Sequence, residues 1–401
     1  MNRGLISQLA FSSKTKILMI IMDGLGGLAR TPSGKTELET ANTPNLDSLA
    51  SLSSLGLTVP VRPGITTGSG PGHLAIFGYD PIENEIGRGA LEALGVDFDL
   101  HPEDIAVRGN FCSVDQDGRI TDRRAGRIPT YTAMALAELL SNIKIDGIEF
   151  FVLPVKEHRF AFIIRGHGLG DKVDDTDPLM IGESPIQPCG QGPESELTAE
   201  ITRKFIDQSK ILLSKHSPAN MILLRGFAKL PKILTFQELY ALNPAAIAVN
   251  GMYRGVARLV GMEILDVNGK TIADEFQTLQ NNWDKFDFFY LHIKQTDTFG
   301  EDGDFDGKVK VIEEVDSYIP EVLALNPDVV IISGDHSSPA VMRSHSWHPV
   351  PSLLFSKYVR ADQIPNFSER TCANGSLGLI QAKEIMPLVL ANALRLNKFG
   401  A

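Results

Sequence analysis

Three short apolar runs of this chain each lead into an aspartate. "KILMIIMDGLGG" carries Ile17 to Met22 into Asp23, "FDFFYLHIKQTD" carries Phe286 to Ile293 toward Asp297, and "DVVIISGDHSSP" carries Val329 to Ile332 into Asp335 and His336. A later segment, "HSWHPVP", adds His345 and His348. Carboxylates brought together repel one another unless a cation lies between them. Aspartates with imidazoles are oxygen and nitrogen ligands for a hard or borderline divalent ion. Any one of these aspartates alone reads first as a helix N-cap or a turn residue. Their recurrence after three strand-like runs, once with a histidine attached, favours a ligand set.

A second segment, "TTGSGPGHLAIFGYDP" from Thr66 to Pro81, places a serine among glycines just before a helix-like stretch. It lacks the lysine of a phosphate-cradling P-loop. Ser69 also lacks the flanking glycines at two residues' distance that a hydrolase nucleophile elbow requires. Free N–H groups and the helix dipole at such a position favour a phosphate. A nearby divalent ion can draw the hydroxyl toward its alkoxide, as it lowers the pKa of bound water. Ser69 is therefore a candidate phosphoryl acceptor, whereas His73 taken alone reads as a packed or capping histidine.

Elements able to bring these residues together are suggested by short apolar runs alternating with helical periodicity, the pattern of α/β layers. In a parallel sheet the carboxyl ends of the strands share one rim, where ligands bind, so acids far apart in sequence can meet there. The chain has 401 residues, 43% hydrophobic and 22% charged, enough for two domains or one with an insertion. Its longest apolar run, Ile17 to Met22, is too short to span a bilayer. The opening "MNRGLISQLAFSSKTK" reads as a short leader into the first strand. Three widely spaced cysteines, Cys112, Cys189 and Cys372, argue against a disulfide framework or a cysteine zinc site and suggest a reducing cytoplasm. A net charge of −11 disfavours nucleic acid as a partner. It permits a small phosphate ester held by a local arginine cluster such as "DRRAGR", Asp122 to Arg127, which could otherwise be a solvated charged turn.

The ordered series "MDGLGG", "TANTPNLDSLA", "GSGPGHLAIFGYDP", "RRAGRI", "EHRFAFIIRG", "DTDP", "LLRGFAK", "TDTFGEDGDFDGK", "SGDHSSP" and "HSWHPVP" resembles the alkaline phosphatase superfamily. Within it, the series resembles the archaeal-type branch of the cofactor-independent (2,3-bisphosphoglycerate-independent) phosphoglycerate mutases. Ser69, Gly72 and His73 supply the Ser-x-x-Gly-His segment. The resemblance implies an α/β phosphatase-like domain, with a central mostly parallel sheet flanked by helices, from residues 1–84 and 268–401. An α+β substrate-binding and phosphotransfer domain would be inserted at 85–267.

It also implies two divalent ions, manganese first among magnesium, zinc and cobalt, and no need for 2,3-bisphosphoglycerate. Asp23, Ser69, Asp335 and His336 would surround one ion, and Asp297 and His345 the other. One position departs: where the family's D-x-x-G-H places a ligand histidine, this chain has Glu301, an oxygen donor.

The implied reaction is the glycolytic interconversion of 3- and 2-phosphoglycerate through a phosphoserine at Ser69. The glycerate would be held by Arg123, Arg124, Arg127, Arg159, Arg165, Arg225 and Arg254, with His158 or Asp122 handling the hydroxyl proton. Closure of the two domains would keep water out. Alternatives are a related phosphatase or mutase for another ester, or a metal- or phosphate-binding paralogue with little turnover because of Glu301. Neither nucleic acid nor a membrane is expected as a partner, and the sequence is compatible with a homo-oligomer.

Overall fold

A computed structural model describes residues 3–400. Strands β1 (Ile17–Met22) and β2 (Ser54–Val59) are followed by β3 (Ile105–Val114), β4 (Ile120–Asp122), β5 (Glu149–Lys156), β6 (Arg159–Arg165) and β7 (Met221–Ala228). Then come β8 (Pro244–Ile247), β9 (Glu263–Ile264), β10 (Phe288–Ile293), β11 (Val329–Ser333), β12 (Val350–Ser356) and β13 (Gly378–Gln381). The chain divides into two compact units, Met1–Glu85 with Ile233–Ala401, and Ile86–Lys232. No helix among the described residues is long and apolar enough to cross a membrane.

The first unit holds an eight-stranded sheet in the order β13-β2-β12-β11-β1-β10-β8-β9. β1 runs parallel to both β10 and β11, and only β12 opposes its neighbours. Every residue of β1, β10 and β11 is buried, as expected where a parallel sheet is covered on both faces and the strands read as continuous apolar runs. On one face Leu18, Ile20 and Met22 join a core with Phe276 and Leu279 from helix Ile272–Asn282 and Val311, Val315 and Ile319 from helix Phe305–Ala324. The opening segment that leads into β1 contains helix Arg3–Leu9.

The sequence reading carried the insertion to residue 267; the second unit ends at Lys232. The reason is sheet pairing, since β8 binds parallel to β10 and β9 to β8, which draws residues 233–267 into the first unit's sheet. The second unit is α+β. Its sheet has the order β4-β3-β6-β5, with β7 also on β3 and every pairing antiparallel. Helices Arg88–Gly95, Thr130–Ser141 and Pro193–Leu213 belong to it. Phe111, Phe160, Phe162 and Phe205 anchor its core.

Candidate functional site

β11, β1 and β10 lie side by side and parallel, so Asp335 with His336, Asp23 and Asp297 emerge along one rim. Atoms of Asp23, Asp335 and His336 fall within 4.8 Å of one another, and so do atoms of Asp297, His336 and His345. The His336 ring therefore belongs to both clusters: Nε2 lies 3.3 Å from Asp23 and 3.2 Å from Asp335, and Nδ1 lies 4.0 Å from Asp297. The His345 ring stacks on His336 at 3.7 Å. Its Nδ1 meets the Thr67 carbonyl at 2.8 Å, which leaves Nε2 facing Asp297 and Glu301, each at 3.5 Å. Glu301 thus sits where its carboxylate can serve the second cluster. His348 stays apart, bonded to Ser346 and stacked on Trp347.

Ser69 opens helix Ser69–Ile76, and its Oγ is 3.1 Å from His336 Nε2. The N–H groups of a first helical turn have no partner within the helix, so they are available to an anion. The need for glycine is clearest at Gly72, where a methyl group would stand 2.5 Å from the carbonyl oxygen of Asp335. This close approach presses the serine helix onto the Asp335 loop. His73 is fully buried, packed on Tyr253 and Tyr290, with Nδ1 2.8 Å from the Ser69 carbonyl and 3.1 Å from Asp335.

Lys294 was missed from sequence, because a lysine following an apolar strand carries no distinctive spacing. Its ammonium reaches Asp23 at 3.0 Å, Asp297 at 2.6 Å and the Tyr253 hydroxyl at 2.9 Å. Burial would raise the Asp23 carboxyl, but contacts with His292 and His336 and the charge of Lys294 outweigh it and hold the carboxyl well below its usual range. Burial opposes the charged form of His336, yet Asp335, Asp23 and Asp297 push it up to about 9. The fully buried atoms Asp23 Oδ1 and Asp335 Oδ2 nevertheless have no aligned hydrogen bond among the described residues. Orphaned, buried carboxylate oxygens beside imidazoles are the donor chemistry of a divalent site, so the residues present fit metal ions.

The arginines gather in the second unit around a cavity of about 330 Å³. Register explains the gathering: Arg108 pairs with Arg225 across β3 and β7, and Asn110 with Arg159 across β3 and β6. Like charges directly opposite on neighbouring strands are destabilising without a counter-ion. Arg123, Arg124 and Arg127 line the same cavity, with Lys156, Glu157 and His158 from the β5–β6 hairpin. Non-glycine residues with left-handed backbone bracket it, namely Ala125, Arg127 and Glu157, and such strain concentrates at functional sites. Burial and then the charge of Arg159 bring His158 down to about 4, so its imidazole is neutral at pH 7.

Two expected substrate ligands are committed to protein partners, and a third lies in the unit that carries Ser69. Arg165 is turned to Asp104, bound at 2.8 and 2.7 Å, and lies over Phe98 and Phe151, because its neighbours there offer a carboxylate and aromatic faces. Arg254 lies on helix Gly251–Leu259 of the first unit. Asp122 accepts the backbone N–H groups of Arg124 and Gly126, which commits its carboxylate to shaping the arginine loop. Arg123 is partly committed to Asp177, at 2.9 and 2.7 Å. Arg108, Asn110 and Lys156 were not anticipated; only strand pairing reveals that they share a face with Arg159 and Arg225.

Residues 15–392 match the metalloenzyme superfamily. A protein of Aquifex aeolicus, named "probable 2,3-bisphosphoglycerate-independent phosphoglycerate mutase", is 50% identical over 406 residues, covering 99% of each chain. The chain belongs to the 2,3-bisphosphoglycerate-independent phosphoglycerate mutases. A Thermus thermophilus member of this family is 48% identical over 400 residues, covering 99% of this chain and 98% of its own. The solved structure of the cofactor-independent phosphoglycerate mutase from Thermoplasma acidophilum matches with a TM-score of 0.77 and 29% identity, over 94% of this chain and all of that one. A Pyrococcus horikoshii protein matches with a TM-score of 0.83 and 31% identity, over 97% and 100%.

Proposed function

We propose that the chain interconverts 3-phosphoglycerate and 2-phosphoglycerate through a phosphoserine at Ser69. The observation that carries this reading is the placement of the Ser69 hydroxyl at a helix N-terminus, 3.1 Å from a histidine shared by two acidic clusters. Asp23, Asp335, His336 and Ser69 would hold one divalent ion, and Asp297, His345 and Glu301 the other. When bound, such ions lower the pKa of a coordinated hydroxyl and neutralise phosphoryl charge; manganese is the ion proposed.

Ser69 Oγ bonds to phosphorus as one glycerate oxygen departs, and the second transfer returns the phosphoryl group to the other oxygen. The group is conserved and no water is consumed. Phosphoryl transfer is mostly positioning and charge neutralisation, and the arginine cavity supplies cations for the carboxylate and phosphate of the substrate. Neutral His158, lining that cavity, is the proposed acceptor of the glycerate hydroxyl proton. Free thiols at Cys112, Cys189 and Cys372 agree with a reducing compartment, and the cytoplasm is the proposed location.

Incubation of the protein with 3-phosphoglycerate and Mn²⁺ tests the reading. The expected product is 2-phosphoglycerate with stoichiometric retention of phosphate in ester form. Net release of inorganic phosphate without 2-phosphoglycerate would assign a hydrolase instead.

A further inference from the structure

Lys308, the last residue of the "TDTFGEDGDFDGK" segment, has no part in the chemistry above, yet it is fully buried. Its ammonium donates to the carbonyl oxygens of Gly24 at 2.8 Å, Gly26 at 3.2 Å and Ser338 at 2.8 Å. An ammonium has three N–H donors, and three backbone carbonyls are in reach, with no carboxylate among the described residues bonded directly to it. Gly24 and Gly26 belong to the loop that follows Asp23, and Ser338 to the loop that follows Asp335 and His336. The same two loops are joined by the Ser338 N–H, which lies 3.1 Å from the Gly24 carbonyl and 3.0 Å from that of Gly26. Buried Glu37 completes the clamp with opposite charge, accepting the N–H groups of Leu28 at 3.1 Å and Ala340 at 2.7 Å.

We infer that Lys308 is a positioning residue: a cation carried by the chain that locks the Asp23 loop against the Asp335–His336 loop and so sets the affinity of the divalent site. The inference rests on the metal site proposed above. A carbonyl cage around the ammonium explains why a lysine is buried there with every donor satisfied: an apolar side chain would take this donor from the Ser338 carbonyl and leave the Gly24 and Gly26 carbonyls with the Ser338 N–H they share. Groups that orient metal ligands typically change affinity by about 10–100-fold when removed.

The test is titration of the purified full chain with Mn²⁺ alone, followed by calorimetry and by the electron paramagnetic resonance of the free ion. Wild-type protein that takes up no Mn²⁺ would sink the site reading itself. With wild-type binding established, Lys308→Met is expected to weaken Mn²⁺ at least tenfold while the far-ultraviolet circular dichroism is retained. Lys308→Ala lacks the heavy atoms of n-propylammonium. That amine is therefore expected to restore Mn²⁺ affinity in a saturable way, whereas n-propanol, neutral and of similar size, restores none.

Wild-type affinity in folded Lys308→Met, or equal rescue by the alcohol, overturns the inference. If Lys308→Met does not fold, Lys308→Gln, which keeps amide donors without the charge, must show the weakened binding. If neither variant folds, folding of Lys308→Ala on addition of the amine and not the alcohol supports the cage, and failure of both overturns it.

Discussion

Replacing Lys294 with Met takes away the ammonium that stands 3.0 Å from Asp23 and 2.6 Å from Asp297. Both carboxylates are essentially buried, while the lysine side chain is 28% exposed. Removing one partner of a buried ion pair costs about 3–5 kcal/mol, and because water reaches the lysine end the lower value, about 3 kcal/mol, is expected in metal-free protein. For a unit of this size about 1 kcal/mol moves the melting temperature by about 2 °C, giving a fall of about 6 °C in the presence of a chelator. Mn²⁺ should narrow this gap, since the ion meets two carboxylates that no longer share an ammonium. Binding stabilises by an amount that grows with the logarithm of affinity, so a tenfold tighter ion returns about 1.4 kcal/mol, roughly half the loss. Differential scanning calorimetry of both proteins, with chelator and with excess Mn²⁺, reads this directly. An unchanged melting temperature in chelator, or a gap that ignores Mn²⁺, refutes the reasoning.

Ser69→Ala is expected to abolish both the phosphoenzyme, followed by trapping label from phosphorylated substrate, and the mutase rate; substantial turnover would remove Ser69 from the mechanism. Arg159→Met should raise KM for 3-phosphoglycerate at least tenfold through loss of a charge-assisted contact. Arg165→Met should leave KM unchanged and lower stability by about 3 kcal/mol, because it strands buried Asp104; denaturant melts and steady-state kinetics separate the two. His158 should titrate near 4 by the NMR of its ring protons. Because that value lies below the ordinary one, the stability it contributes is present above about pH 6.5 and is lost as pH falls toward 4. Arg159→Met should move the midpoint upward, and a midpoint near 6.5 in the wild type would contradict the burial of the ring and, after it, the charge of Arg159.

Short-range sequence carried a large part of the first unit. Continuous apolar runs ending on Asp23, near Asp297 and on Asp335 announce buried parallel strands with acids at their carboxyl ends, since a strand covered on both faces has no polar alternation to confuse the reading. The glycines around Ser69 marked the setting of a phosphoryl acceptor, while the approach of Gly72 to the Asp335 carbonyl appears only in the structure. The second boundary was misplaced and the commitment of Arg165 to Asp104 went unseen for one reason: residue type signals charge, but only the pairing of strands and the contacts of each side chain say which way the charge faces.

What the sequence by itself determined is therefore local: which stretches are strands buried on both faces, and where the acids and the serine fall. Tertiary structure alone decided that one histidine serves two clusters, that Lys294 bridges Asp23 and Asp297, that Lys308 lies inside a cage of carbonyls, and that Arg108 faces Arg225. Each of these depends on segments tens to hundreds of residues apart becoming neighbours. Such proximity is fixed by sheet register and core packing, and no spacing within a single segment encodes it.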